Sequence, residues 1–371
     1  MASFLLDSFR GGFSEWEDKG ISGSFKRGSA LDIRKKVDSL TSQQALADEF
    51  THANMTDLAI AIIPASNGKA YAFCRDGKIF ERSSLGVWNT TPVYTDTDGI
   101  IRGACEAYDS HGNTFLYWAS DTDLHRKRVI GTGYTDSGWS DVDALLVTGD
   151  GTTSGDPWPK TNLTDTTHHT MRWINGNLQI THGSTLAMVG YDNSYTNNSL
   201  DLIFLNVAKT LLERGIDAVI GVESKSESKE SALFQWDTLS QNYNMKKSVP
   251  AESINALIDT EIPLMQVGTD GDIYYADLRA ILPVVRISGG GEASPEGVAS
   301  DDGLALFGIF GNSSGYNGIY SYGRKMKNHD FVLNLEYPLT CDEIGAVTKV
   351  GTDILVSYED SGSFKIAKVS S

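Results

Sequence analysis

Histidines, carboxylates and cysteines are the residues of this sequence with the means to do chemistry, and their spacing limits what they can do. His168-His169 with His182 is the densest histidine group. A zinc ion needs a third and fourth ligand at tetrahedral geometry, and the sequence places none clearly in range. These histidines are expected instead at a strand edge where a repeat begins. Glycosidic hydrolysis needs two carboxyl groups at a set separation, and 48 acidic residues nominate no pair. Asp121, Asp123, Asp270 and Asp272 suit turns that could hold calcium, with a solvated turn as the plainer expectation. Cys74, Cys105 and Cys341 are odd in number and widely separated, which argues against a disulfide framework. They read as buried, reduced thiols within strands. Ser288-Gly289-Gly290-Gly291 is followed by no helical pattern, so it reads as a loop and not a phosphate cradle. No nucleophile elbow, phosphate loop, zinc-helix motif or dinucleotide fingerprint is present. The expectation is a non-enzymatic protein with no catalytic residue, no metal and no cofactor.

The elements that would position any such group repeat along the chain at intervals of roughly 45 residues. Each copy has an apolar run, a tight polar turn and a second apolar or aromatic run. The first is Leu58 to Ile63, Asn67-Gly68, then Ala70 to Phe73. The second is Cys105 to Tyr108, His111-Gly112, then Thr114 to Trp118. Later copies centre on the turns Asn175-Gly176, Asp270-Gly271, Asn317-Gly318 and Ser361-Gly362. Repeated hairpins predict an all-β fold, a seven-bladed β-propeller over 51–371, with first strands near 58, 104, 169, 217, 263, 304 and 353. Ile203 to Arg214 has some amphipathic helical character, but the period favours an outer strand there. The stretch Gly149 to Pro159 reads as a long inserted loop. Thr135-Asp136-Ser137-Gly138-Trp139 resembles part of the Asp-box turn of sialidase-like propellers, as a single partial copy.

Only two strands of the last repeat, ending at Val369, are legible. A closed ring should not leave that edge open. The missing strands should come from the N-terminal segment, with Ala30 to Arg34 and Val37 to Leu40 as the best candidates. Lys35 to Phe50 otherwise reads as mixed, with Ser39 or Thr41 able to cap a short helix through Gln44, Ala45, Leu46 and Phe50.

Composition narrows the partners. The net charge is −17 over 371 residues, which disfavours nonspecific binding to nucleic acid or anionic lipid. No apolar run is long enough to span a bilayer. The N-terminus lacks the basic start and apolar stretch of a signal peptide, so synthesis in a cytoplasm is expected. Residues 1–50 carry seven basic and eight acidic side chains and form a nearly neutral arm. Within it, Lys19, Lys26, Arg27, Arg34, Lys35 and Lys36 outnumber the one acid between them, Asp32. Phe9, Phe13, Trp16 and Phe25 are too many large aromatics for a disordered tail. The arm is therefore expected to anchor the protein, with Phe9, Phe13, Trp16, Phe25, Lys26, Arg27 and Arg34 as partner-binding residues.

The arm also carries a resemblance. Gly20-Ile21-Ser22-Gly23-Ser24-Phe25-Lys26-Arg27-Gly28, then Leu31-Asp32-Ile33-Arg34-Lys35, then Asp38-Ser39-Leu40-Thr41, ahead of propeller repeats, resembles β-propeller virion structural proteins of tailed bacteriophages. Leu211 to Gly221 resembles their linker between blades. The resemblance implies a virion component of the tail or its tip, assembled in several symmetric copies with other virion proteins. It transfers no catalytic residue. Two other readings stay open on the same scaffold. One is a module that binds host surface glycan through loop aromatics such as Trp139, Trp158 and Tyr195, and the other is a glycan-cleaving enzyme.

Overall fold

The computed structural model describes residues 31–32, 41–42, 46–121 except 98, 123–131, 163, 168–192, the strands between 195 and 286, residues 239 and 253, 291–299, 305–312, 315, 317–324 and 331–369. The chain divides into a small unit, Met1–Ala47 with Val369–Ser371, and a large one, Asp48–Lys368. In the small unit β1 (Leu31–Asp32) pairs antiparallel with β2 (Thr41–Ser42), Leu31 opposite Ser42.

The large unit is a β-propeller built of antiparallel meanders. The last three residues of the strand β3 (Leu46–Phe50) belong to this unit. The first sheet runs β4 (Ala59–Pro64), β5 (Ala70–Cys74), β6 (Lys78–Arg82) and β7 (Tyr94–Thr95). The next has three strands among the described residues: β8 (Ile101–Tyr108), β9 (Thr114–Ser120) and β10 (Asp123–Ile130). The residues that follow it, 132–162, lie outside the described ones, and with them fall the Thr135 to Trp139 turn and the Gly149 to Pro159 loop. Then come β11 (Met171–Ile174), β12 (Asn177–His182), β13 (Thr185–Gly190) and β14 (Tyr195–Asp201). The fourth sheet holds β15 (Asn206–Arg214), β16 (Asp217–Ser224), β17 (Ser231–Asp237) and β18 (Asn242–Val249). The fifth holds β19 (Ile254–Ile258), β20 (Leu264–Gly268), β21 (Asp272–Ala276) and β22 (Ile281–Arg286). The sixth holds β23 (Glu292–Ala299), β24 (Ala305–Phe310), β25 (Gly318–Arg324) and β26 (Phe331–Pro338). The closing sheet holds β27 (Glu343–Val350), β28 (Asp353–Asp360) and β29 (Ser363–Val369), with β3 as its fourth strand. Among the described residues, six sheets are therefore four-stranded and one is three-stranded.

Local chemistry explains the hairpins. Asn175 and Gly176 have φ of 47° and 76°, the left-handed pair that a two-residue turn between Ile174 and Asn177 requires. The second strands β5 and β9 are largely apolar because neighbouring sheets cover both faces. β5 and β9 are buried along their whole length. Phe73 and Ile79 pack with Leu116 and Trp118 between the first two sheets. Phe115 and Tyr117 pack with Leu178 and Ile180 between the next two.

The repeat frame inferred from sequence slips by one strand midway. The apolar runs near 58, 104 and 169 begin first strands, but those at 217, 264, 305 and 353 are the second strands β16, β20, β24 and β28. The segment expected as an outer strand, Ile203 to Arg214, instead supplies the first strand β15. The first strand β23, with Glu292, Ser294 and Glu296, carries too little apolar signal to stand out. The last sheet consequently has three strands after 342, not two.

Closure does mix the two ends of the chain, but through a different segment from the ones expected. Ala30 to Arg34 contributes β1, which pairs with Thr41–Ser42. The residues expected as a short helix, Leu46 and Phe50 among them, form β3 instead. A helix there would forfeit the burial of Phe50, whose ring lies 5.3 Å from Phe80 and 5.5 Å from Trp88. Tertiary packing overrides the local helical preference. Charges fix the register. Buried Arg82 donates through Nε to Glu49 (2.7 Å) and through Nη2 to Asp353 (3.0 Å), and Lys368 lies 3.1 Å from Asp353. Tyr358 donates its hydroxyl to Asp48.

Removing residues 1–50 should therefore lower the unfolding temperature and expose an edge. Phe50→Ala should cost about 3 kcal/mol, read as a shift in the denaturant midpoint. An unchanged midpoint would show that β3 is not needed for closure.

Candidate functional site

First strands of successive sheets touch in sequence around the axis, β4 with β8, β8 with β11, and onward through β15, β19 and β23 to β27, which touches β4. Most of these strands carry a β-bulge. The register skips Ile60 in β4, Arg102 in β8, Lys209 in β15, Asn255 in β19 and Gly345 in β27. A bulge leaves its extra residue unpaired and re-aims the side chain. The bulged residues Ile60, Arg102, Lys209 and Asn255 line one cavity of about 370 Å³, together with Arg75, His168 and Glu343. The space is kept by small residues. A Cβ on Gly103 would sit 1.9 Å from the His169 carbonyl oxygen, a backbone contact that cannot yield.

Charge dominates this axial cavity, and every cation in it is matched. Arg75 reaches across sheets to Glu343 at 2.5 Å and lies 4.0 Å from Asp57. Arg102 contacts Asp121 at 3.1 Å. Glu223 Oε2 lies 3.3 Å from His168 Nε2 and 3.4 Å from Lys209 Nζ. Lys209 also donates to Ser253 at 2.8 Å, which donates to Asn255 at 3.2 Å. The His168 hydrogen bond, with the Lys209 charge added, lowers the Glu223 carboxyl to about 2 against the opposing effect of burial. Glu223 is thus ionised at neutral pH and holds no proton to give. Such a set can hold inner strands together and present a mixed-charge surface, and it lacks the paired carboxyls of unlike pKa that acid–base chemistry would use.

The three histidines of the sequence cluster go to separate tasks. His168 faces Glu223. His169 is buried, its ring nitrogens on the backbone carbonyls of Thr181 and Asp121, and burial lowers its pKa. His182 lies 2.8 Å from the Thr185 hydroxyl. Asp121 anchors a tight turn through Ile100 N and Arg102, and has φ of 39°. Asp123 and Asp272 begin strands and do not sit in turns, and Asp270 lies outside the described residues. Among the described residues no group of three or more His, Cys, Asp or Glu is placed to hold a metal ion. The thiols depart in part from expectation: Cys74 is buried in β5, Cys105 is only half-buried in β8, and Cys341 lies buried just ahead of β27. Burial pushes the Cys341 thiol up to about 12. Tyr195 lies in strand β14 and not in a loop. Trp139, Trp158 and the arm residues Phe9, Phe13, Trp16, Phe25, Lys26, Arg27 and Arg34 lie outside the described residues. The bulge residues escaped sequence reading because a bulge has no signature in residue type.

No family model and no curated sequence matches this chain. Its structure is similar to solved propellers. The WD40 β-propeller domain of Doa1 aligns over 87% of this chain and 96% of its own, with TM-score 0.56 and 13% identity. A chain of the mitotic checkpoint complex aligns over 94% and 99%, with TM-score 0.56 and 9% identity. Raptor of Chaetomium thermophilum aligns over 89% of this chain and 29% of its own, with TM-score 0.56 and 10% identity. At such identities the likeness establishes the fold and carries no activity.

Glu223 gives the cavity a pH signature. Its folded pKa lies below the ordinary 4.5, so its contribution is complete above that ordinary value and is lost as pH falls towards about 2. Glu223→Gln should be less stable than the natural chain at pH 7 and should lose less stability between about pH 5 and pH 2. Parallel acid profiles in thermal melts would show that the His168–Glu223–Lys209 group does not couple to folding.

Proposed function

We propose that this protein is a non-enzymatic structural and interaction component of a tailed-phage particle, associated with the tail or its tip. We propose further that the propeller has seven blades, the three-stranded sheet of β8–β10 being one of them. The unbroken succession of first-strand contacts from β4 round to β27 and back supports that count. The observation that carries the functional reading is the position of β3. The strand that completes the last sheet, Leu46–Phe50, is the final stretch of the 1–50 arm, so the arm is covalently continuous with a sheet fastened through Glu49, Arg82 and Asp353. Rigid rooting suits an anchor, because a tether fixed at its base loses less freedom when its far end binds. The likeness of residues 20–41 to phage propeller proteins supplies the particle, and the paired charges of the axial cavity favour a role without catalysis. Propellers similar in structure include a chain of the mitotic checkpoint complex, which suits a partner-binding scaffold.

Each large aromatic buries on the order of 150–250 Å², worth roughly 25 cal/mol per Å². Replacing Phe13 and Trp16 with alanine should therefore leave the melting temperature of the ring unchanged and abolish incorporation into particles, scored by quantifying the protein in purified virions. Normal incorporation of the double variant would overturn the anchoring role.

A further inference from the structure

Tyr108, Trp173 and Tyr191 meet on the surface where the β8–β10 and β11–β14 sheets adjoin, around a depression of about 680 Å³. That size lies within the roughly 300–1,000 Å³ of small-molecule sites. The Tyr108 and Trp173 ring centroids are 5.6 Å apart at 77°, and those of Trp173 and Tyr191 are 6.3 Å apart at 57°. Tyr108 is 38% exposed and Tyr191 49%.

The rings are held in place without a ligand. Tyr108 donates its hydroxyl to Glu106 at 3.2 Å, and Glu106 accepts from the Ser66 amide and hydroxyl at 2.7 Å each. Trp173 leans on the apolar cluster containing Phe115 and Leu178. The Ser110 amide donates to the Tyr191 carbonyl at 2.7 Å, which latches the turn after β8 to the end of β13. Within that turn Asp109 Oδ1 accepts from the His111 amide at 2.9 Å and the Asn113 amide at 2.8 Å. A site ordered in advance gives up little entropy on binding.

The lining chemistry selects the ligand. Among the described residues no lysine or arginine lines the depression, and the chain carries a net charge of −17, so an anion is disfavoured. An ammonium group seated over a ring face would also need an anionic partner to balance its charge. The Asp109 carboxylate that would balance a cation is buried and occupied by its own turn. What remains is an aromatic surface edged by Asn175 and Asn177 from the β11–β12 turn. An amide side chain both donates and accepts. That combination matches a pyranose ring, which pairs an apolar C–H face with hydroxyls at its rim. We propose that this depression binds neutral hexopyranose units of an oligosaccharide, stacked on Tyr191 and Trp173. The proposal stands apart from the assembly role, which rests on residues 1–50.

The test is titration of the full chain with maltohexaose, cellohexaose, laminarihexaose and mannohexaose, followed by tryptophan fluorescence and saturation-transfer NMR. At least one should bind with a Kd of about 1 mM or tighter. Tyr191→Ala should weaken it about tenfold or more at an unchanged melting temperature, and Tyr191→Phe should retain it. Tyr108→Ala gives an independent check on the second exposed ring. Three results would overturn the proposal: no binding of any of the four at about 10 mM, binding that Tyr191→Ala and Tyr108→Ala both leave intact, or tetramethylammonium competing for the same rings. None of these bears on particle incorporation, so the two readings fail separately.

Discussion

The pairing of β3 with β29 is the constraint on which the rest of this structure depends. Every sheet of a propeller is stabilised by its two neighbours, so a ring with one unfinished sheet has an exposed edge and two uncovered faces. Here the fourth strand comes from residues 46–50, and the closing sheet is fastened by groups far apart in sequence: Glu49, Arg82, Asp353 and Lys368. Breaking a buried ion pair by removing one partner costs more than the pair contributes, because a bare charge is left behind. Arg82 is accordingly less an ornament of the closure than the group that forbids any other register at that edge.

A second constraint acts at the axis. Inner strands converge there, and flat strands would drive their side chains into one another. The bulges at Ile60, Arg102, Lys209 and Asn255 resolve this by turning one residue per strand toward the axis while its neighbours stay in the ladder. Glycine does the same job by subtraction at Gly103, where the backbone of the next sheet passes too close for any side chain. The result is a narrow mouth whose charges are matched across sheets, and whose pKa shifts report structural pairing.

The overall fold was legible because hairpin chemistry repeats: Asn175-Gly176 and Ser361-Gly362 occupy turns with both residues at positive φ. The strand frame was less legible. Second strands such as Ala70–Cys74 and Thr114–Ser120 are sandwiched and largely apolar, so they announce themselves, while first strands such as Glu292–Ala299 are mixed and pass for loops. The closing strand was misread because Leu46-Ala47-Asp48-Glu49-Phe50 has local helical character, and its strand form is imposed by Phe80, Trp88 and the open edge of β29. The axial cavity was illegible in principle, since Arg102 and Lys209 look like any strand-edge cation until the register shifts are known. Half of the aromatic depression was visible as the Asn175-Gly176 turn and the aromatic run near Tyr108, but nothing in the sequence says that two sheets bring Tyr191 beside them.

The closing sheet also sets the order in which the molecule can acquire its final state. Meander sheets form from contacts between neighbouring segments, so each can condense soon after its own residues emerge from the ribosome. The Asp48–Tyr358 bond spans 310 positions and the Arg82–Asp353 bond 271, and neither can exist until residues 353–358 have been synthesised. Loop entropy grows only logarithmically with such separations, so the delay arises from synthesis and topology more than from free energy. Through that interval Leu46–Phe50 has no partner strand, and its apolar ring and unpaired amides stay open to misplaced pairing with another nascent chain.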